Sequence, residues 1–212
     1  MKRLKRSFLL MIACLVSGMV QAQIKVKHEP TGNSPSQLRE GNLIYTMIDS
    51  MAQVLNCRIE VREARIKTTL NARPALWSLL GKKEKRKYII RINNNPKFKG
   101  IRLDEVPLMA GIGLWAHELM HVKDYHHRTL WGVMERGWQY LSQEGKRQFE
   151  HEIDRMAIEH GFGQHLYAWS YYVLEESNAS PSYKAYKQSV YLTPSAIRQA
   201  IEQSELPPHS TN

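Results

Sequence analysis

The chain has 212 residues, of which 42% are hydrophobic and 24% are charged, and its formal net charge is +10 at pH 7. This composition is typical of one globular domain with a sizeable core, and the length excludes two large domains.

The first residues have the composition of an export signal. A basic stretch is followed by an apolar run over residues 8–20 and by small residues up to Ala22, which predicts a signal peptide over residues 1–22. We therefore expect an exported protein, periplasmic or secreted. An uncleaved anchor and a lipid attached at Cys14 are the alternatives. Cleavage after Ala22 leaves Cys57 as the last cysteine and excludes a disulfide framework.

The remaining chain divides into an exposed leader over residues 23–35, a single domain over residues 36–205 and a loose tail over residues 206–212. Apolar residues at steps of three and four predict a helix from Ser36 to Asn56. Alternation predicts a strand over residues 57–63 and a second one over residues 88–93. The segment around residues 71–81 is ambiguous.

Beyond Asp104 the sequence predicts helices almost throughout. Asp104 can cap a helix that has Pro107 in its first turn and runs past His121. Further helices are predicted over residues 129–141, from residue 142 to a C-cap at Gly161, over residues 164–177, and from residue 193 to 203. The expected class is α+β, with a short sheet packed on a predominantly helical set. The tryptophans at 115, 131, 138 and 169 are expected to pack in the interior.

The run KKEKRK, residues 82–87, is most simply a solvated turn. Alternatively, its charge attracts anionic polymers. Export favours envelope polymers over nucleic acid, so we expect no nucleic-acid partner and no spanning helix in the mature chain.

The central motif is HExxH, formed by His117, Glu118 and His121. Histidines four apart on a helix lie one turn apart on the same side, so both imidazoles can bind one ion, for which zinc is expected. Glu118 can then act as general base towards a water bound to that ion.

A catalytic zinc needs a third protein ligand, and two residues compete for this role. His127 would complete HExxHxxGxxH, but Asp124 occupies the glycine position of that motif and is less suited to the sharp turn. Glu150 is the other candidate, in the stretch FEHEIDRMAIEHG.

The segment from Glu150 to Ala157 resembles the ExExD helix of gluzincin metallopeptidases, including the HtpX-like group, and the short interval between the motifs is similar to that of compact soluble members. This resemblance covers the two motif helices. It implies that Glu150 is the third zinc ligand and that Asp154 orients a ligand histidine. It also implies a small zincin-like domain, a peptide or protein substrate, and an edge strand formed by KYIIRINN along which that substrate lies. An interior strand is the alternative for KYIIRINN.

Together these features predict an exported zinc metallopeptidase. The alternative is a noncatalytic envelope protein with a structural metal site or a basic polymer-binding surface. Four aromatic residues that follow the Glu150 helix are open candidates for stabilising an oxyanion: His165, Tyr167, Tyr171 and Tyr172.

Overall fold

A computed structural model describes residues 35–205 of the chain. The predicted signal peptide, nearly all of the predicted leader and the predicted tail lie outside the described residues. The helices are α1 (Pro35–Leu55), α2 (Leu108–His127), α3 (Leu130–Gln139), α4 (Gln143–Ala157), α5 (Gly163–Tyr171), α6 (Pro181–Val190) and α7 (Pro194–Glu205). The strands are β1 (Arg58–Ala64), β2 (Leu70–Pro74) and β3 (Lys87–Asn93). The α+β class is confirmed.

The sheet has three strands in the order β1-β3-β2. β3 pairs in parallel with β1 and antiparallel with β2. The predicted second strand, KYIIRINN, is therefore the central strand. The alternative of an interior strand is confirmed, and the edge position that the resemblance implies is wrong. Its tyrosine and isoleucines explain this position, because Tyr88, Ile89 and Ile90 are buried and need cover on both faces.

β2 forms an edge of the sheet and lies in the segment whose sequence pattern is ambiguous. The amide of Asn93 donates to the carbonyl of Thr69, and the amide of Ala75 donates to the carbonyl of Lys87. In an antiparallel pair every second residue forms these hydrogen bonds, so residues 69, 71, 73 and 75 bond to β3. The N–H and C=O of Ala72, which lies between two of them, point away from β3. Pro74 occupies another outward position, where its missing N–H removes no ladder bond.

Helix α2 passes through the middle of the protein and is buried along most of its length. It packs against α5, α4, α1 and β2. The helix begins at Leu108 and not at Asp104, because a residue before proline disfavours the helical conformation and Val106 is extended. Asp104 instead lies in a short 3₁₀ turn, Leu103–Glu105.

The junction between α4 and α5 occurs at Gly161, which has a φ of 87°. The predicted left-handed stop at this glycine is confirmed. Helix α6 is absent from the sequence prediction, although Ser180 caps its first turn by accepting from the amide of Tyr183 and Pro181 is its first residue. This helix contributes several side chains to the site described below.

The expected burial of the tryptophans is confirmed for Trp115 and Trp169 and wrong for Trp131 and Trp138, which are exposed. Among residues 35–205, none of the helices has the length and apolar character needed to cross a membrane.

Candidate metal centre

His117 and His121 lie on successive turns of α2, and both side chains are buried. Their rings face each other edge to face, with centroids 4.8 Å apart. The two Nε2 atoms are 3.1 Å apart, so the imidazoles converge on one point as the four-residue spacing predicts.

Glu150, on α4, supplies a third atom to this point. Its Oε2 lies 3.1 Å from Nε2 of His117 and 3.2 Å from Nε2 of His121. Glu150 is buried as well. The three side chains are the one group of metal-binding side chains that residues 35–205 bring together in this way.

The size of this triangle fits a small transition-metal ion. Ligand atoms about 2.0–2.2 Å from a tetrahedral ion lie about 3.3 Å from one another, close to the observed 3.1–3.2 Å. Two imidazoles and one carboxylate suit zinc and its neighbours in the first transition row better than calcium or magnesium, which prefer oxygen ligands. A buried group able to bind a metal ion is thus present.

Asp154 fixes the orientation of His117. Its Oδ1 lies 2.8 Å from Nδ1 of His117, while its Oδ2 accepts the amide of Leu192 at 3.0 Å. Asp154 is one turn after Glu150 on α4, and it is buried. By accepting the Nδ1 proton it leaves Nε2 of His117 free to coordinate an ion.

The other oxygen of Glu150 has its own partner. The hydroxyl of Tyr140 donates a hydrogen bond to Oε1, so Oε2 alone is directed at the histidines. Tyr140 lies in the turn between α3 and α4, ten residues before Glu150. No sequence motif marks this tyrosine.

The electrostatics of the cluster favour a positive charge at its centre. Burial lowers the pKa of His117, but hydrogen bonds and charge from Asp154 and Glu150 outweigh burial and raise this pKa to about 10. Burial also raises the pKa of Glu150, yet the charges and hydrogen bonds of His121 and His117 hold it well below its usual range. Two buried carboxylates thus stabilise either protonated imidazole or a bound cation.

The cluster opens into a cleft of about 670 Å³. Glu118, His121 and Glu150 contribute to its wall, together with residues of β2 and the segment after β3. Glu118 is buried, and its Oε2 has no hydrogen-bond partner among the described residues. A buried carboxylate oxygen without a partner is costly, which indicates that it faces a ligand or water.

Tyrosines surround the cluster on its other sides. Tyr140, Tyr186 and Tyr191 line the cleft, and the Tyr191 ring lies 5.5 Å from the His117 ring. Lys187 is buried beneath Tyr191, with Nζ 3.9 Å from the ring centroid. The unpredicted helix α6 supplies Tyr186 and Lys187.

None of the four aromatic residues singled out as oxyanion candidates contributes to the wall of the cleft. The Tyr172 hydroxyl donates to the carbonyl of Glu105, and Tyr167 accepts from Arg198. The carbonyl of His165 lies against α2 at Gly113.

The competing ligand His127 is exposed at the end of α2 and is not part of the cluster. Asp124, at the glycine position of the longer motif, has a different role. It accepts hydrogen bonds from Arg136 and Arg128, and Arg136 also pairs with Glu152. These contacts join α2, α3 and α4 around the site.

Comparisons of the chain with protein-family models, with curated proteins and with solved structures gave no match.

Proposed function

We propose that this protein is an exported zinc metallopeptidase of the gluzincin type, with a small zincin-like domain. Its zinc ligands are His117, His121 and Glu150, and Glu118 is the general base. The observation that carries the proposal is the buried, unpartnered carboxylate oxygen of Glu118, a residue that lines the same cleft as His121 and Glu150.

Zinc, when bound, would acidify a water molecule and polarise the scissile carbonyl. Glu118 would accept the proton of that water and pass it to the leaving amine. Asp154 would keep His117 in the tautomer that coordinates through Nε2, and Tyr140 would hold the Glu150 carboxylate in a one-oxygen binding mode.

The edge strand β2 offers a site for the main chain of a peptide. Leu70, Asn71 and Ala72 line the cleft, and the N–H and C=O of Ala72 point away from β3. An extended peptide could add to this edge as a further strand and bring a peptide bond to the metal. In this proposal the strand that pairs with the substrate is β2, and not β3 as the resemblance implies.

An open cleft favours this proposal over the alternative of a structural metal site. Structural zinc sites close their fourth position with a protein ligand, whereas catalytic sites have three protein ligands and an open position. Here three ligands converge among residues 35–205, and the cleft volume lies in the range typical of ligand sites.

The test starts with metal content, measured by plasma mass spectrometry on the wild type, Glu150→Ala and His127→Ala. About one zinc per chain is expected in the wild type and in His127→Ala, and its loss is expected in Glu150→Ala. A peptidase screen then compares the wild type with Glu118→Gln, which should retain the metal and lose activity. A wild type that stays metal-free when offered zinc contradicts the proposal. Equal activity of Glu118→Gln would refute the catalytic role.

A further inference from the structure

One face of α3 is apolar and exposed to solvent. Trp131, Met134, Trp138 and Leu141 follow one another at steps of three and four residues, starting on α3 and ending just after it. Trp131 is 75% exposed, Trp138 72% and Leu141 85%. The opposite side of the helix carries the buried Val133 and Arg136, which attach it to the domain. One side of α3 thus packs on the domain, and the apolar side opposite to it is exposed to solvent.

A second uncovered group lies in the connection between β2 and β3. The short 3₁₀ helix Leu76–Leu80 exposes Trp77 and Leu80, at 87% and 68%. The same connection then approaches the junction between α2 and α3. Lys83 Nζ donates to the carbonyl of His127 at 3.2 Å, and Arg86 donates to the carbonyl of Arg128 at 2.7 Å. Leu80 is three residues before Lys83, and Trp131 is four residues after His127, so both apolar groups adjoin this contact. We call them together the tryptophan face: Trp77, Leu80, Trp131, Trp138 and Leu141.

Lysines accompany the tryptophan face. Lys82, Lys83 and Lys85 are all exposed and lie between Leu80 and the contacts made by Arg86. Glu84 is the only acid within this run. Exposed tryptophans next to lysines are typical of surfaces that bind anionic membranes, where the indole ring enters the headgroup region and the ammonium groups bind phosphate.

The lysines also decide between a lipid and a protein partner. The centres of protein interfaces are rich in tryptophan but depleted of lysine, since burying an ammonium group is costly. At a membrane surface the lysines stay hydrated and gain attraction from anionic headgroups. We infer that the tryptophan face binds the surface of a membrane that contains anionic phospholipid. This inference does not depend on the proposed peptidase activity.

The test is cosedimentation of the purified full chain with vesicles of phosphatidylethanolamine and phosphatidylglycerol, compared with vesicles of phosphatidylcholine alone. The variants are Trp131→Ser combined with Trp138→Ser, and the triple exchange of Lys82, Lys83 and Lys85 to Glu. Affinities are measured by lipid titration, and residues 1–34 are identical in all proteins, so the ratio of two affinities reports the exchanged side chains.

Each variant has a matched control. Val54→Ser with Tyr171→Ser removes exposed apolar groups elsewhere. Exchange of Arg65, Lys67 and Lys97 to Glu changes the charge equally, at the opposite end of the sheet, since these residues follow the ends of β1 and β3. Thermal melts verify the fold of every variant.

We expect the wild type to bind the anionic vesicles, both tryptophan-face variants to bind them at least tenfold more weakly, and both controls to stay within twofold of the wild type. Equal binding by the wild type and the tryptophan-face variants would overturn the inference, as would absence of binding by the wild type. A wild type that is dimeric by analytical ultracentrifugation, beside a monomeric Trp131→Ser/Trp138→Ser variant, would assign the face to a second copy of the chain instead.

Discussion

Asp154 connects His117 to the backbone of Leu192, with one carboxylate oxygen 2.8 Å from the imidazole Nδ1 and the other 3.0 Å from the Leu192 amide. Both groups donate, and an ionised carboxylate can accept from both at once. His117 is thereby anchored to the loop between α6 and α7, which lies far away along the chain.

Asp154→Asn should weaken zinc binding by about 10- to 100-fold without unfolding the protein. The asparagine side chain has one accepting oxygen, so either His117 or Leu192 would face an N–H group. The measurement is zinc affinity by competition with a chromophoric chelator. Glu152→Gln is the matched control, because Glu152 lies on the same helix but pairs with Arg136. Equal affinities of Asp154→Asn and the control would rule out the orienting role.

Tyr140→Phe should lower zinc affinity by about tenfold, a smaller effect than loss of a ligand. The change removes the hydroxyl that donates to Oε1 of Glu150 and leaves the ring in place against Phe149. Glu150 would then be free to rotate or to bind with both oxygens. The same chelator competition measures the effect, and Tyr171→Phe serves as the control because Tyr171 lies outside the cleft. An unchanged affinity would show that Glu150 needs no such support.

The residues of the candidate metal site could be predicted from the sequence because their spacing is local. His117 and His121 are four apart on one helix, and the Glu150 and Asp154 pair repeats that spacing on another. The residues that complete the site have no such signal. Tyr140 lies in the turn before α4. Tyr191 and Leu192 follow α6, and the packing of α4 against α6 brings them to the histidines.

The order of the strands in the sheet could not be predicted from the sequence either. The alternating and apolar residues of β1 and β3 predicted strands, but strand order depends on long-range pairing that one sequence does not encode locally. β2 is short, ends in a proline and is followed by an apolar 3₁₀ turn, so its pattern was ambiguous. The predicted burial of Trp131 and Trp138 is wrong, because both side chains are exposed. Apolar residues at helical spacing predict an apolar face of a helix, but they do not show whether that face packs against another element.

Asp124 should make the stability of the protein sensitive to acid. Burial raises its pKa, but hydrogen bonds and charge from Arg128 and Arg136 outweigh burial and lower it below the ordinary value of 3.8. A lowered folded-state pKa means that the carboxylate stabilises the folded state above about pH 4 and loses this effect as the pH falls through the folded-state pKa.

The check is urea unfolding of metal-free wild type and Asp124→Asn at neutral and acidic pH. At pH 7 the variant should be less stable by about 3 kcal/mol, because it leaves Arg136 without its buried partner. Below the folded-state pKa the difference should shrink. Removing the metal beforehand separates this effect from acid release of the ion. A difference that is independent of pH would contradict the assignment.

Gly113 should be essential for the packing of α2 against α5. A β-carbon at this position would lie 2.1 Å from the carbonyl oxygen of His165, and this backbone cannot move aside locally. Gly113→Ala should therefore destabilise the protein by about 2 kcal/mol or more.

The neighbouring Gly111 gives a matched control for Gly113. A β-carbon there meets nothing closer than 3.9 Å, so Gly111→Ala should stabilise the helix by about 0.5–1 kcal/mol. Chemical denaturation of both variants measures the two effects. A Gly113→Ala protein as stable as Gly111→Ala would mean that the two helices do not approach so closely.

Lys146 should make cleavage favour acidic peptides. It lies one turn before Glu150 on α4, lines the cleft, and donates to the hydroxyl of Tyr186, so its ammonium group is held at the wall next to the proposed metal. Within the proposed function, a substrate carboxylate near the scissile bond would pair with it. The expected gain for aspartate over asparagine in otherwise identical peptides is about fivefold in kcat/KM, corresponding to about 1 kcal/mol for a partly exposed charge pair. Lys146→Gln should abolish this ratio.

Arg147→Gln is the matched control for Lys146, since the two residues are adjacent and carry the same charge, but Arg147 is exposed and pairs with Glu144 outside the cleft. The ratio of the two peptides should stay unchanged in this variant. If both variants lower the ratio equally, the preference arises from the net charge of the protein and not from the cleft. If the wild type cleaves both peptides at the same rate, Lys146 has no part in recognition, and its contacts with Tyr186 and the Tyr140 ring serve only to pack α4 against α6.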